Sequence, residues 1–396
     1  MKQDFFKKKK QWSKIKDFTL GNYLSPYFQK IIAFQKPLTY IDGFAGKGVF
    51  DDGEMGSPII SLKCLEKAIS QTRFTYSADM FFIELKYSNE LENNIKAYQT
   101  IDDINCKVIN GRFEDSIDCV LNNCNNRSVF LYIDPYGIKV LNLTKLNNLS
   151  KGHFANIEML ININTWGFFR EACRIMNVRY AYDSDLDDFL LEYDDLDIKS
   201  VSDLNDIAGG DYWQSIINDY RAGKIDAFEA EKRIAGGMVN HLNGFRYVLN
   251  IPITSSETSK MPKYRLFYVS NHSSGCVLMA DTMSKATAKA REQHNEGQIS
   301  LLDYDINGDI IDERIIKQRV LKILNGSIRL TELIAEFYTT YGICTSVSKL
   351  KTCLKEMDGI DISIKRFPAF NKNGTKKTFM DENNKQKVII SKYENN

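Results

Sequence analysis

The stretch that most constrains this chain is Tyr40-Ile41-Asp42-Gly43-Phe44-Ala45-Gly46-Lys47-Gly48. A short apolar run, Pro37 to Ile41, leads straight into an acid and then three glycines within six residues. Glycine lets a backbone turn tightly and come close to a ligand, where a Cβ would collide. A glycine cluster alone also marks plain turns. What separates this one from a turn, or from a pyrophosphate loop, is Asp42 at the strand tip. A carboxylate repels phosphate but accepts hydrogen bonds from an ammonium group.

The surroundings of the loop are those of a parallel α/β sheet. Further apolar runs follow at Met80–Ile83, Cys106–Ile109, Ser128–Ile133 and Ile157–Ile163, separated by stretches such as 58–69 and 88–98 with three- and four-residue apolar spacing. Near-continuous apolar strands alternating with helices predict a parallel sheet covered on both faces. Residues 167–240 are acidic and helical, and are expected to be an insertion. Strands return at 244–254 and 263–271 as an antiparallel hairpin, the ending expected of a Rossmann-like class I methyltransferase sheet. Residues 312–396 carry three helical segments and two strands around the turn Asn371-Lys372-Asn373-Gly374, which predicts a winged-helix-like domain. The expected organisation is a basic segment 1–14, a core 15–166, the insertion 167–240, the remainder of the core 241–300 and the C-terminal domain 312–396.

Bulk composition narrows the class further. The 396 residues are 43% hydrophobic and 26% charged, with a net charge of +1, as in an ordinary globular protein. No apolar run is long enough to span a bilayer and the start has no secretory pattern, so a cytoplasmic protein is expected. Eight cysteines are scattered with no Cys-x-x-Cys pair and only four histidines accompany them, which predicts reduced thiols and no metal site. Basic residues gather locally, at Lys7–Lys10, Lys14 and Lys16, and again at Lys349, Lys351, Lys355, Lys365, Arg366, Lys372, Lys376 and Lys377. Such patches suit nucleic acid, or equally a solvated face or a protein contact.

Each strand end carries candidate chemistry. The loop residues Asp42, Gly43, Phe44, Ala45, Gly46 and Gly48 are expected to hold S-adenosylmethionine (SAM), whose methionine moiety supplies an ammonium for the acid. Phe82-Ile83-Glu84 ends the second strand. Glu84 stands as a ribose-hydroxyl acceptor or as an ordinary strand-end acid, 36 residues after Gly48 where about 20 is usual. Arg112 stands where an adenine-binding acid is expected, and Phe113 can pack on adenine or in the core. Ile133-Asp134-Pro135-Tyr136-Gly137 ends the fourth strand, facing the same crevice if the sheet is parallel. Asp134 can accept from an amino group, Pro135 forces an extended backbone, and Tyr136 offers a stacking face, so these three are the catalytic candidates. A plain turn of that composition is the alternative.

Taken together, Tyr40–Gly48, Gly56-Ser57-Pro58, Phe82-Ile83-Glu84, Ile133–Gly137 and Tyr264–His272 resemble the three-Cys-motif partner (TcmP) proteins over roughly residues 12–290. That resemblance implies a methyltransferase-like protein of bacteria and mobile elements, with a three-cysteine, radical-SAM-type partner. A more distant similarity is to the J-type adenine-N6 methyltransferases of large-subunit ribosomal RNA. It implies Ser57 as a further cofactor contact, Asp134 as acceptor of the target amine and Tyr136 as the stacking ring. The chain departs from that pattern by one missing proline, a shift of about 3.3 Å along extended chain, and by Arg112. The expected function is SAM-dependent methylation of a nucleic-acid base at an exocyclic amine such as adenine N6. An inactive SAM-fold binding protein working with a partner is the alternative.

Overall fold

The computed structural model describes residues 7, 9, 11–180, 198–254, 261–294, 311–383 and 385–393. They fall into two compact units, Met1–Asn271 and His272–Asn396. The first unit runs α1 (Gln11–Ala33), β1 (Leu38–Asp42), α2 (Ser57–Ser70), β2 (Ala78–Glu84), α3 (Ser88–Tyr98), β3 (Ile104–Asn110), α4 (Phe113–Asn122), β4 (Ser128–Ile133), α5 (Leu143–Asn148) and β5 (Asn156–Ile163). It continues with α6 (Thr165–Ile175), α7 (Val201–Ala208), α8 (Trp213–Arg221), α9 (Ala227–His241), β6 (Tyr247–Thr254) and β7 (Pro262–Ser270).

These strands form one seven-stranded sheet in the order β3-β2-β1-β4-β5-β7-β6. The first five are parallel, and β7 runs antiparallel to both β5 and β6. That order, with a reversed β7, is the one expected of a class I methyltransferase sheet. Every residue of the central strands β1 and β4 is buried, as a parallel sheet covered on both faces demands. Edge strand β3 alternates polar and apolar residues, and edge strand β6 carries Pro252, both ways of blunting an open edge.

The register sorts the two faces. Tyr40 pairs with Phe130, Phe130 with Glu158 and Leu160 with Tyr268, so these side chains share one face. Helix α1 packs there. Tyr23 donates to Glu158, Tyr268 donates to the same Oε2 at 2.7 Å, and Tyr23 stacks against Tyr27. Burial pushes both tyrosines' ionisation well up, so they stay donors to the buried acid. The opposite face, with Ile41, Leu131, Ile133, Ile161, Phe267 and Val269, is buried under α4 to α9. Arg265 fixes α9 to β7 through two 2.8 Å bonds to Glu231, and Thr165 closes the pair. The expected helical insertion therefore supplies α6 to α9. Its most acidic stretch, 183–191, lies outside the described residues.

The second unit comprises α10 (Ser273–His294), α11 (Glu313–Ile323), β8 (Ile328–Arg329), α12 (Leu330–Tyr341), α13 (Val347–Met357), β9 (Ile362–Phe367) and β10 (Lys387–Lys392). Ser346 caps α13, accepting from the Lys349 amide at 3.1 Å. The sheet is β8-β10-β9, one strand more than expected, because the two-residue β8 is too short to leave a period in the sequence. The expectation for α10 needs correcting as well. Placed with the core by its position before residue 300, it buries Cys276, Met279, Ala280, Met283 and Ala286 and packs on α12. Three- and four-residue spacing announces an apolar face but not its partner.

Candidate active site

The glycine loop leaves β1 where the parallel strands end. Gly46 and Gly48 take positive φ, +64° and +81°, which a Cβ would strain. A Cβ on Gly43 would stand 2.7 Å from the Phe113 ring, and one on Gly56 3.1 Å from the Gly48 carbonyl oxygen. The loop is a tight cradle, with Ala45 buried and Phe44 packed on Phe113 at 5.1 Å between centroids.

Two acids shape the cradle from beneath. Asp42, the strand-tip acid expected to accept from an ammonium group, is fully buried, accepting from Ser57 Oγ at 2.6 Å and the Phe44 amide at 3.2 Å. Burial without a cation pushes its carboxyl up to about 7, against the lowering by those two donors. Ser57 presents itself to the crevice instead. Glu84 accepts from the Gly46 amide at 2.8 Å and, through its other oxygen, from the Lys86 and Tyr87 amides at 2.8 and 3.2 Å. A carboxylate has about four acceptor positions, so one remains for a hydroxyl. Beside it Leu85 is 50% exposed, unusual for leucine and set on a strand tip.

Asp134 and Pro135 come to the same crevice as Phe44, Ala45, Gly46, Gly48 and Ser57, with Tyr136 at its rim, 41% exposed. The loop and the Asp134-Pro135-Tyr136 corner are thus brought together. Arg112 and Phe113 are not at this crevice. Phe113 is buried under Gly43, while Arg112, paired with Glu114 at 3.7 Å, borders a separate cavity of about 390 Å³ with Lys139, Leu146 and Ile207. Their side chains follow β3 onto α4, whose N-terminus turns to the opposite sheet face.

Two members of the site were not legible as such: Lys16 read only as part of a basic cluster, and Asn162 carried no signal. Lys16 of α1 donates to Asp134 Oδ1 at 2.8 Å and Oδ2 at 2.6 Å, and its ammonium lies 5.2 Å from the Tyr264 ring centre. Asn162, at the end of β5, donates to Asp134 Oδ1 at 2.7 Å, and Tyr132 OH to Oδ2 at 3.2 Å. The carboxylate's acceptor positions are therefore filled. Asn162 Oδ1, itself buried, has no partner among the described residues. Lys9 bridges Asp17 and the Met55 carbonyl, each at 2.5 Å, and Lys14 meets Glu54 at 3.3 Å. Lysines expected to greet a polyanion are thus engaged within the chain. Of these lysines, Lys16 borders the crevice, which has a volume of only about 60 Å³.

No protein-family model matches this chain, and no curated protein does. Solved structures with similarity include one described as a "putative sarcosine dimethylglycine methyltransferase from Galdieria sulphuraria", at 11% identity and a TM-score of 0.24, covering 62% of this chain and 84% of that one. A geranyl diphosphate methyltransferase in complex with GPP and sinefungin aligns at 9% and 0.26, covering 63% and 76%. Loganic acid methyltransferase with SAH aligns at 8% and 0.24, covering 99% and 98%. At such scores these likenesses carry no argument.

Proposed function

We propose that the first unit is a SAM-dependent methyltransferase that acts on an exocyclic amine of a nucleic-acid base. The observation that carries the reading is the cradle. On a sheet of the methyltransferase order, a loop with no room for a Cβ at Gly43 or Gly48 faces an acid-proline-tyrosine corner across one crevice. The donor chemistry, though not the crevice's volume of about 60 Å³, fits SAM. The Gly46–Gly48 backbone and Ser57 suit its methionine portion, the open acceptor position of Glu84 suits a ribose hydroxyl, and the exposed Leu85 suits a flat apolar ring. When bound, SAM supplies an electrophilic methyl group. The protein's part is orientation: Pro135 holds the corner extended, Tyr136 offers a ring for a base, and Lys16 with Asn162 fixes Asp134. A base within a duplex would have to leave its stack to reach the crevice.

The second unit supports the nucleic-acid side of the reading. Within it, α11, α12 and α13 with the β9–β10 hairpin have the composition of a winged helix, and the unit's lysines concentrate on α13 and the hairpin. The test is labelled SAM with separate pools of RNA, single-stranded DNA and duplex DNA. Label entering one pool, and falling on the order of 100-fold in Asp134→Asn, supports the proposal. SAM binding with no label in any pool overturns it. One observation favours a second reading: with Lys16 filling Asp134, the same fold can serve as a non-catalytic binding protein alongside a three-cysteine partner.

A further inference from the structure

Within the second unit, β9 and β10 are joined by a projecting hairpin that the proposed chemistry does not use. Residues 362–380 contain Lys365, Arg366, Lys372, Lys376 and Lys377 and no acid, in a chain whose net charge is only +1. Three of the four neighbouring acids, all but Asp361, are already engaged. Asp358 faces Arg366 at 3.6 Å, Asp381 faces Lys351 at 2.5 Å, and Glu382 faces Arg329 at 3.2 Å while accepting from Thr331. Lys365, Lys372 and Lys376 are exposed and form no ion pair among the described residues.

Two phenylalanines stand among these cations in the open. Phe367 is 52% and Phe370 59% exposed, where a large apolar ring is ordinarily buried. Each lies directly across the hairpin from a lysine, Phe367 from Lys387 and Phe370 from Lys376. The hairpin is braced. The Asn371 amide donates to the Thr375 carbonyl at 2.8 Å, Gly374 N–H to Asn371 at 3.0 Å and Lys377 N–H to Ala369 at 2.8 Å. Asn371 Nδ2 adds a bond to Thr375 Oγ1 at 2.9 Å. The rings are therefore held out on an ordered element, which lowers the entropy lost on binding.

We infer that this hairpin is a stacking platform for single-stranded nucleic acid. Phe367 and Phe370 would receive base faces, and Lys365, Lys372, Lys376 and Lys387 would follow the phosphates. Paired bases hide their π faces in the duplex stack, whereas unpaired ones expose them, so rings alternating with cations suit a single strand. The inference extends the nucleic-acid side of the proposed function and needs no methyl transfer to hold.

Anisotropy of a fluorescein-labelled, mixed-sequence strand of about 15 nucleotides, RNA and DNA, titrated with the full-length protein from 50 to 200 mM salt, tests it. Wild type is expected to bind the single strands more tightly than the duplex. Phe370→Leu, which keeps apolar bulk but loses the π face, should weaken binding about tenfold, while Phe370→Trp keeps or tightens it. Lys372→Gln with Lys376→Gln should flatten the log–log salt slope by about 1.4. Circular dichroism and melting temperature confirm that each variant is folded. Wild type that binds no strand, a Phe370→Leu protein that binds as wild type does, or an unchanged salt slope overturns the inference. Tolerance of leucine would mark a protein-binding face instead. Hairpin-dependent binding without methyl transfer would sink the transferase and leave this inference standing.

Discussion

Asp42 shows how a single buried group ties the site to pH. Its carboxyl rises from 3.8 to about 7 in the folded protein, so between those values the folded chain holds a proton that the unfolded chain has released. Stability contributed by that protonated form is present below about pH 4 and lost as pH rises through 7, a span of up to ~4 kcal/mol. Asp17, raised to about 6 by burial against the pull of Lys9, acts in the same direction. Denaturant unfolding from pH 4 to 8 should show this decline in wild type and a flatter profile in Asp42→Asn. Equal slopes would mean that Asp42 is not held in the protonated form. At the loop, Gly43→Ala drives a methyl onto the Phe113 ring and should cost about 1–3 kcal/mol. Gly48→Ala, at φ +81°, should cost about 1–2 kcal/mol. Chemical melts of both variants check the pair. These residues could be read from sequence because strand, acid and glycines adjoin. What could not be read was which way Asp42 faces, since Ser57 reaches it only after the chain has turned back.

At the level of elements, strands β1, β2, β4 and β5 were readable as apolar runs because burial on both faces demands hydrophobicity at almost every position. The role of α1 was not. Lys16 lies 118 residues from Asp134, and no local pattern distinguishes a lysine that closes a crevice from one that greets solvent. The pair can be weighed directly. Lys16→Met leaves a partly buried carboxylate unpaired and should cost about 3 kcal/mol, whereas Lys16→Met with Asp134→Asn should recover most of that. Additive losses in the double-mutant cycle would show that the two groups do not interact. Asn162 escaped notice for the same reason: only the parallel register of β4 and β5 puts it beside Asp134.

Taken whole, the chain divides at His272 rather than near residue 312. The second unit's core includes Cys276, Met279 and Met283 of α10, so a fragment 272–396 should melt cooperatively. A fragment 312–396, stripped of that helix, should expose apolar surface, bind a hydrophobic dye and melt at lower temperature. Indistinguishable melts would place α10 outside the unit. The fold class was accessible because the apolar period and the alternation of strands and helices along the chain are written locally. The boundary was not, because an amphipathic helix does not name the surface it covers.

The proposed function stands or falls with SAM binding at the Asp42–Gly48 cradle, Glu84 and the Asp134 corner. Calorimetric titration of SAM, and of its demethylated product, into the full-length protein tests it most directly. Saturable heat is expected at about one ligand per chain, with a dissociation constant between roughly 1 μM and 1 mM. Absence of heat with both ligands, from protein shown to be folded, would contradict it.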